Sequence, residues 1–164
     1  MKVTQYELVQ EDLLPVVSAV SIMDFPDTEM CNRALIAVDV CNKLLGLNKL
    51  AEERVVLVAL NAGMIISGIS IVSHGESNAA PINIRGVLTR ALLLGANNVI
   101  ILHNHPAGSL TPSEYDKSAC DSVYYSALTL GIKLLDFIIV AGDSFYSFET
   151  EEIEPFSRKP MKLK

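Results

Sequence analysis

The chain contains no tryptophan, and aromatic residues make up only 6% of it. Its core must therefore be built from aliphatic side chains. Cysteine is scarce and odd in number: Cys31, Cys41 and Cys120, with no two in a C-x-x-C arrangement. That set excludes a disulfide frame and a cysteine-based zinc site, and fits reduced thiols packed as small core residues. No run reaches the roughly 18–20 uninterrupted apolar residues that a bilayer-spanning helix needs. The opening residues Met1 to Glu7 have no apolar run behind Lys2, so no signal peptide and a cytoplasmic location are expected. Basic residues are outnumbered, 13 Lys+Arg against 19 Asp+Glu, for a net charge of −6. Such a chain is a poor non-specific phosphate binder, and direct nucleic-acid binding is not expected.

The composition is otherwise globular, half apolar over 164 residues, enough for one domain. Residues 1–50 read as strands and a helix packed on the same domain as residues 51–150. Two strand-like runs, Val3 to Val9 and Leu14 to Ile22, come first. Phe25-Pro26-Asp27 opens a helix with Asp27 as N-cap. Met30, Ala34, Ala37, Val38, Cys41 and Leu45 share its face, and Gly46 stands at its end. Val55 to Leu60 and Met64 to Ser73 read as a hairpin turning at Asn61-Ala62-Gly63. A polar loop, residues 74–82, precedes a helix capped by Asn83 and stopped by Gly95. Asn98 to Leu102 is a short strand, Pro112 to Gly131 a second long helix, and Lys133 to Val140 and Phe145 to Phe148 the closing strands. Residues 151–164 read as a charged, loose tail. The order implies an α/β fold, a mixed sheet flanked by helices.

The chemistry concentrates in one segment, His103-Asn104-His105-Pro106-Ala107-Gly108, which holds two of the three histidines. On an extended strand, residues i and i+2 point to one face, so both imidazoles aim into one volume. Thr111-Pro112-Ser113-Glu114 then reads as a helix start, with Thr111 as N-cap, Pro112 at N1 and Glu114 completing a capping box. That grammar places Asp116 in the second turn, one i+3 step from Ser113. Two imidazoles and a carboxylate form a three-ligand set for a catalytic zinc, with a fourth position left for water.

The arrangement His-x-His-Pro, six residues, Ser113, two residues, Asp116 resembles the motif of the JAMM (MPN-plus, JAB-domain) metalloproteases. Its His-Asn-His-Pro-x-Gly form resembles the bacterial RadC family. Gly75 with Arg85 ten residues on, Asn97 to Leu102, Leu135-Asp136 and Tyr146-Ser147-Phe148 carry the resemblance through about residues 51–150. It implies a cytidine-deaminase-like JAB/MPN fold and one Zn²⁺ per chain held by His103, His105 and Asp116. It further implies Glu53 as general base, with Glu52 as the alternative, and Ser113 as donor to the oxyanion of a tetrahedral intermediate. The implied substrate is a peptide or isopeptide-linked protein. Arg85 and His74 become candidates for substrate contact or for the rim of the cleft. Homo-oligomerisation is an open expectation.

Several positions depart from the family. Phe137 stands where a histidine is common, so any supporting role of that histidine is missing. Gly86 weakens a helix start, and Glu76 alters the loop beside it. Residues 1–50 are too few to hold the helix-hairpin-helix region of RadC proteins. Two alternatives therefore stand beside the hydrolase: a catalytically silent JAB/MPN interaction module, and a RadC-type DNA-repair accessory.

Overall fold

A computed structural model describes residues 1–26, 29–75 and 82–156. Eight strands form one mixed sheet: β1 (Lys2–Glu11), β2 (Leu14–Asp24), β3 (Glu53–Leu60), β4 (Ile66–Gly75), β5 (Asn98–Asn104), β6 (Lys133–Ala141), β7 (Ser144–Ser147) and β8 (Glu152–Pro155). Their spatial order is β2-β1-β4-β3-β5-β6-β7-β8. Neighbours run antiparallel except β1 with β4 and β5 with β6. Three helices, α1 (Ala34–Leu45), α2 (Ile84–Leu93) and α3 (Glu114–Thr129), cover the sheet, and a 3-10 turn, Leu47–Lys49, comes after α1. The α/β reading, a mixed sheet between helices, is what the structure shows, and it agrees with a JAB/MPN-type fold.

The central strands are apolar nearly throughout because both of their faces are covered. On one side, α1 packs Ala37, Val38 and Cys41 against Val56, Val58, Ile100, Leu102, Ile138 and Val140. On the other, α2 and α3 bring Val87, Ala91, Ala119, Val123 and Ala127 onto Leu57, Val99, Ile101 and Phe137. The alternation that divides the apolar side chains between two layers also decides where polar ones go. His103 is in phase with Ile101 and faces α2 and α3, while Asn104 is in phase with Leu102.

Strand ends shift by one or two residues from the sequence reading, and four differences have a physical cause. Helix α1 begins at Ala34, behind an N-cap position, Arg33, that makes no side-chain cap. The residues before it are held elsewhere: Cys31 is buried and donates its N–H to the Met64 carbonyl at 2.7 Å. Met30 therefore lies outside the helix, and the expected cap Asp27 lies outside the described residues. Strand β4 begins at Ile66, because Asn61 Oδ1 accepts from the N–H groups of Gly63 and Ile65 and widens the turn. Helix α3 is capped by Ser113, two residues later than Thr111. The expected loose tail contributes β8, which pairs with β7 and extends the sheet by one strand; residues 157–164 lie outside the described residues.

The β1–β2 hairpin joins the sheet with Gln5 opposite Ile69. Its seat needs Gly68. A β-carbon there would come within 2.7 Å of the Tyr6 ring and 2.9 Å of Leu94.

Candidate metal centre

Strand β5 ends at the histidines. His103 is paired with Val55 of β3 and Ile139 of β6. His105 stays extended, donating its N–H to the Val140 carbonyl at 2.8 Å. Both imidazoles therefore leave the same face, with Nε2 atoms 2.7 Å apart. The chain then turns through Gly108, whose φ of +84° few side chains tolerate. That turn brings the Ser109 carbonyl to 2.9 Å from His105 Nδ1. A carbonyl can only accept, so Nδ1 carries a proton, and whenever the ring is neutral its lone pair is the one on Nε2, facing the centre.

The third group arrives on α3. Ser113 is its N-cap and Asp116 is at N3, in the first turn rather than the second. Together they form a reciprocal capping box. Ser113 Oγ accepts from the Asp116 N–H at 3.2 Å. Asp116 Oδ2 accepts from the Ser113 N–H and from the Ser113 hydroxyl, both at 2.7 Å. The other oxygen, Oδ1, lies 3.1 Å from His103 Nε2 and 3.8 Å from His105 Nε2. The carboxylate thus serves the cap with one oxygen and the imidazoles with the other. Aspartate outcompetes Glu114 for the N3 role because the cap is Ser113, and N3 counts from there.

Burial would raise the Asp116 carboxyl, but its contacts with His103 and His105 and the hydrogen bonds from Ser113 outweigh it. They hold the group well below the usual carboxylate range. Contact with Asp116 raises the His105 imidazole against the pull of burial; the Ser109 carbonyl and the charges of Asp116 and Glu53 add to it. His103 and Asp116 are 6% and 4% exposed, so their contact lies where water screens it little.

The donor set fits a tetrahedral divalent ion. Ligand atoms about 2.0–2.1 Å from such an ion lie about 3.3 Å from one another. The separations here, 2.7, 3.1 and 3.8 Å, bracket that value. Among the described residues this is the one group of three or more His, Cys, Asp or Glu side chains so placed.

Glu53 begins β3. Val55 pairs with His103, and Glu53, two residues before Val55, leaves the sheet on the histidines' face. Its charge is felt by both His105 and Tyr115. Glu52 is out of phase and exposed, 3.6 Å from Arg54. The structure thus puts Glu53 on the face of the histidines and leaves Glu52 aside. His74 is paired with Arg54, one residue out of step with Glu53, so it leaves the sheet on the opposite face and is not brought to the centre. Arg85 is exposed on the first turn of α2, with no hydrogen bond or ion pair to the centre among the described residues. Glu76 lies outside the described residues. Cys120 packs against the α2–α3 core layer, where burial pushes its thiol up to about 11.

Phe137 is fully buried and meets the His103 ring edge-to-face at 5.5 Å. His103 Nδ1 is buried without a hydrogen-bond partner. A hydrocarbon ring thus packs against the imidazole and offers it no polar atom.

Two residues escaped the sequence reading. Tyr115 stands between Ser113 and Asp116; burial pushes its phenol up against a hydrogen bond with the Ile82 backbone, and the charges of Asp116 and Glu53 add to the rise. Asn104 sits between the two histidines, 2% exposed. The signal for Asn104 was its position: a carboxamide at a buried strand position must find partners.

A family model for the RadC-like JAB domain matches residues 33–153, a span that takes in α1 to α3 and every residue of the centre. A UPF0758 protein of Carboxydothermus hydrogenoformans is 37% identical over 102 residues, 62% of this chain and 45% of that protein. One from Staphylococcus haemolyticus is 35% identical over 115 residues, 70% of this chain and 50% of that protein. A third, from Thermotoga maritima, is 31% identical over 102 residues, 62% of this chain and 46% of that protein. The chain spans about half the length of the curated relatives it matches. With a family model covering most of its length, the chain belongs to the RadC-like JAB domain family.

Proposed function

We propose that this chain is a zinc-dependent hydrolase of the JAMM metallopeptidase type, acting on an amide or isopeptide bond between protein segments. The observation that carries the reading is the convergence of His103 Nε2, His105 Nε2 and Asp116 Oδ1 beside the strand that starts with Glu53. A zinc ion, when bound by these three atoms, supplies an activated water and a Lewis acid for the scissile carbonyl.

The chain's own residues do the rest. His105 offers Nε2 because Ser109 holds its Nδ1 proton. Asp116 offers Oδ1 because Ser113 holds Oδ2. Glu53 takes the proton of the attacking water and returns it to the leaving amine. Ser113 stabilises the oxyanion by turning its hydroxyl from Asp116 to the substrate oxygen, while its backbone N–H keeps hold of the carboxylate. Arg85, at the mouth of the α2 helix, is the candidate contact for a substrate carboxylate.

A second reading, a silent interaction module, is favoured by one observation: His103 Nδ1 lacks a partner beside Phe137. One experiment separates the two. Zinc-loaded protein and its Glu53→Gln variant are incubated with peptide and isopeptide-linked substrates, and metal content is measured alongside. Cleavage lost in the variant with zinc retained supports the hydrolase. Cleavage surviving the change rejects Glu53 as the base, and no cleavage by either protein supports the silent module.

A further inference from the structure

We infer that Asn104 is a positioning residue that sets the Glu53 carboxylate against the metal centre, an inference that rests on the base role proposed above for Glu53. Regular pairing between β3 and β5 ends at Val55 and His103. Beyond it, the side chain of Asn104 takes over what the ladder would have done. Its Oδ1 accepts from the Arg54 N–H at 2.8 Å. Its Nδ2 donates to the Glu52 carbonyl at 3.0 Å, with the Leu50 carbonyl at 3.5 Å.

Those partners define the role. The Glu52 carbonyl belongs to the peptide plane before the Glu53 α-carbon, and the Arg54 N–H to the plane after it. Two planes on one α-carbon fix its φ and ψ, and with them the direction of the Cα–Cβ bond. One carboxamide holds both planes, and it hangs from the residue between His103 and His105. The base and two metal-binding groups are thereby tied to a single short length of backbone. Asn104 itself points to the other side of the sheet and touches neither the centre nor a substrate. A leucine in phase with Leu102 would bury well at this position; the carboxamide is instead hydrogen-bonded on both its polar atoms, which offsets its burial.

The test uses full-length chain loaded with cobalt(II), whose visible absorption reports the ion's surroundings. Parent, Glu53→Gln, Asn104→Ala and Asn104→Leu are compared for cobalt affinity and for the pH titration of that absorption. A carboxylate beside the ion opposes loss of a proton there, so Glu53→Gln moves the titration to lower pH. Both Asn104 variants are expected to move it in the same direction, with cobalt affinity changed by less than about tenfold, the lower end of what loss of a ligand's direct support costs. Asn104→Leu keeps the branched side chain of four heavy atoms, leaves no cavity, and guards against a folding defect in the alanine variant. If Glu53→Gln shifts the titration while a folded Asn104 variant titrates like the parent, Asn104 does not position Glu53. A larger loss of affinity in both Asn104 variants also overturns the inference, since the residue then supports the ligands themselves. If Glu53→Gln leaves the titration unmoved, the base role of Glu53 fails, and the inference falls with it by a recognisably different result.

Discussion

Ser113 and Asp116 exchange three hydrogen bonds across the first turn of α3, and the exchange leaves one carboxylate oxygen, Oδ1, turned to His103 and His105. The helix cap and the candidate metal ligand are therefore one structure. Ser113→Ala removes the hydroxyl from both. It is expected to cost about 1 kcal/mol of stability as a lost N-cap. It should also weaken zinc binding by about tenfold, as loss of a group orienting a ligand does. Thermal melting of metal-free protein checks the first effect and competition with a zinc chelator the second. Lost stability with unchanged zinc affinity would separate the cap from the ligand.

Phe137 and His103 give a second prediction. With Nε2 turned to the centre, Nδ1 of His103 is buried without a hydrogen-bond partner, and the Phe137 ring packs edge-to-face on the imidazole. Phe137→His places a nitrogen near that atom and is expected to tighten zinc binding by about tenfold. Phe137→Ala instead opens a cavity and should cost about 3–5 kcal/mol. Chelator competition and chemical unfolding measure the two. Zinc affinity unchanged in a folded histidine variant would show that His103 needs no partner.

Asp136 supplies a pH dependence. Burial pushes its carboxyl up, against hydrogen bonds from Ser147, Glu149 and Phe137. A carboxyl raised in the folded state is stabilising when protonated. Its contribution is complete below the unfolded value of about 3.9 and is lost as pH rises through the raised folded value. Asp136→Asn cannot ionise. The melting temperature of Asp136→Asn relative to the parent should therefore climb as pH is raised from about 4 towards 7. A difference that stays flat over that range would contradict the assignment.

Gly68 tests how the N-terminal hairpin is seated. Alanine there would press into the Tyr6 ring and Leu94 at under 3 Å. Overpacking of this kind costs about 1–3 kcal/mol, and Gly68→Ala should destabilise the fold by that amount in urea unfolding. A neutral result would mean that Tyr6 and Leu94 move aside freely.

The elements with strong local grammar were legible in the sequence. Asn83 caps α2 through the Gly86 N–H, Gly46 ends α1 in a left-handed conformation, and the period-two placement of His103 and His105 put both rings on one face. What misled was competition between neighbours. Thr111-Pro112-Ser113-Glu114 contains two overlapping caps, and the one whose N3 residue is Asp116 prevails because its carboxylate also meets the imidazoles. The start of α1 was misplaced because Cys31 is drawn into a hydrogen bond with Met64, a partner 33 residues away that no local pattern reveals. Strand β8 has little apolar character and exists through its pairing with β7. His74 begins the polar loop and is expected at the rim of the cleft, but the β3–β4 register turns it to the other face. The role of Asn104 has no local signature, because its partners, Leu50, Glu52 and Arg54, are about fifty residues upstream.

The central claim, that His103, His105 and Asp116 hold one zinc ion, is tested most directly by elemental mass analysis of native protein beside His103→Ala and His105→Ala. The account predicts about one zinc per chain in the parent, lost from both folded variants. Parent protein that binds no zinc even after the metal is added back, or variants that keep it, would contradict the account.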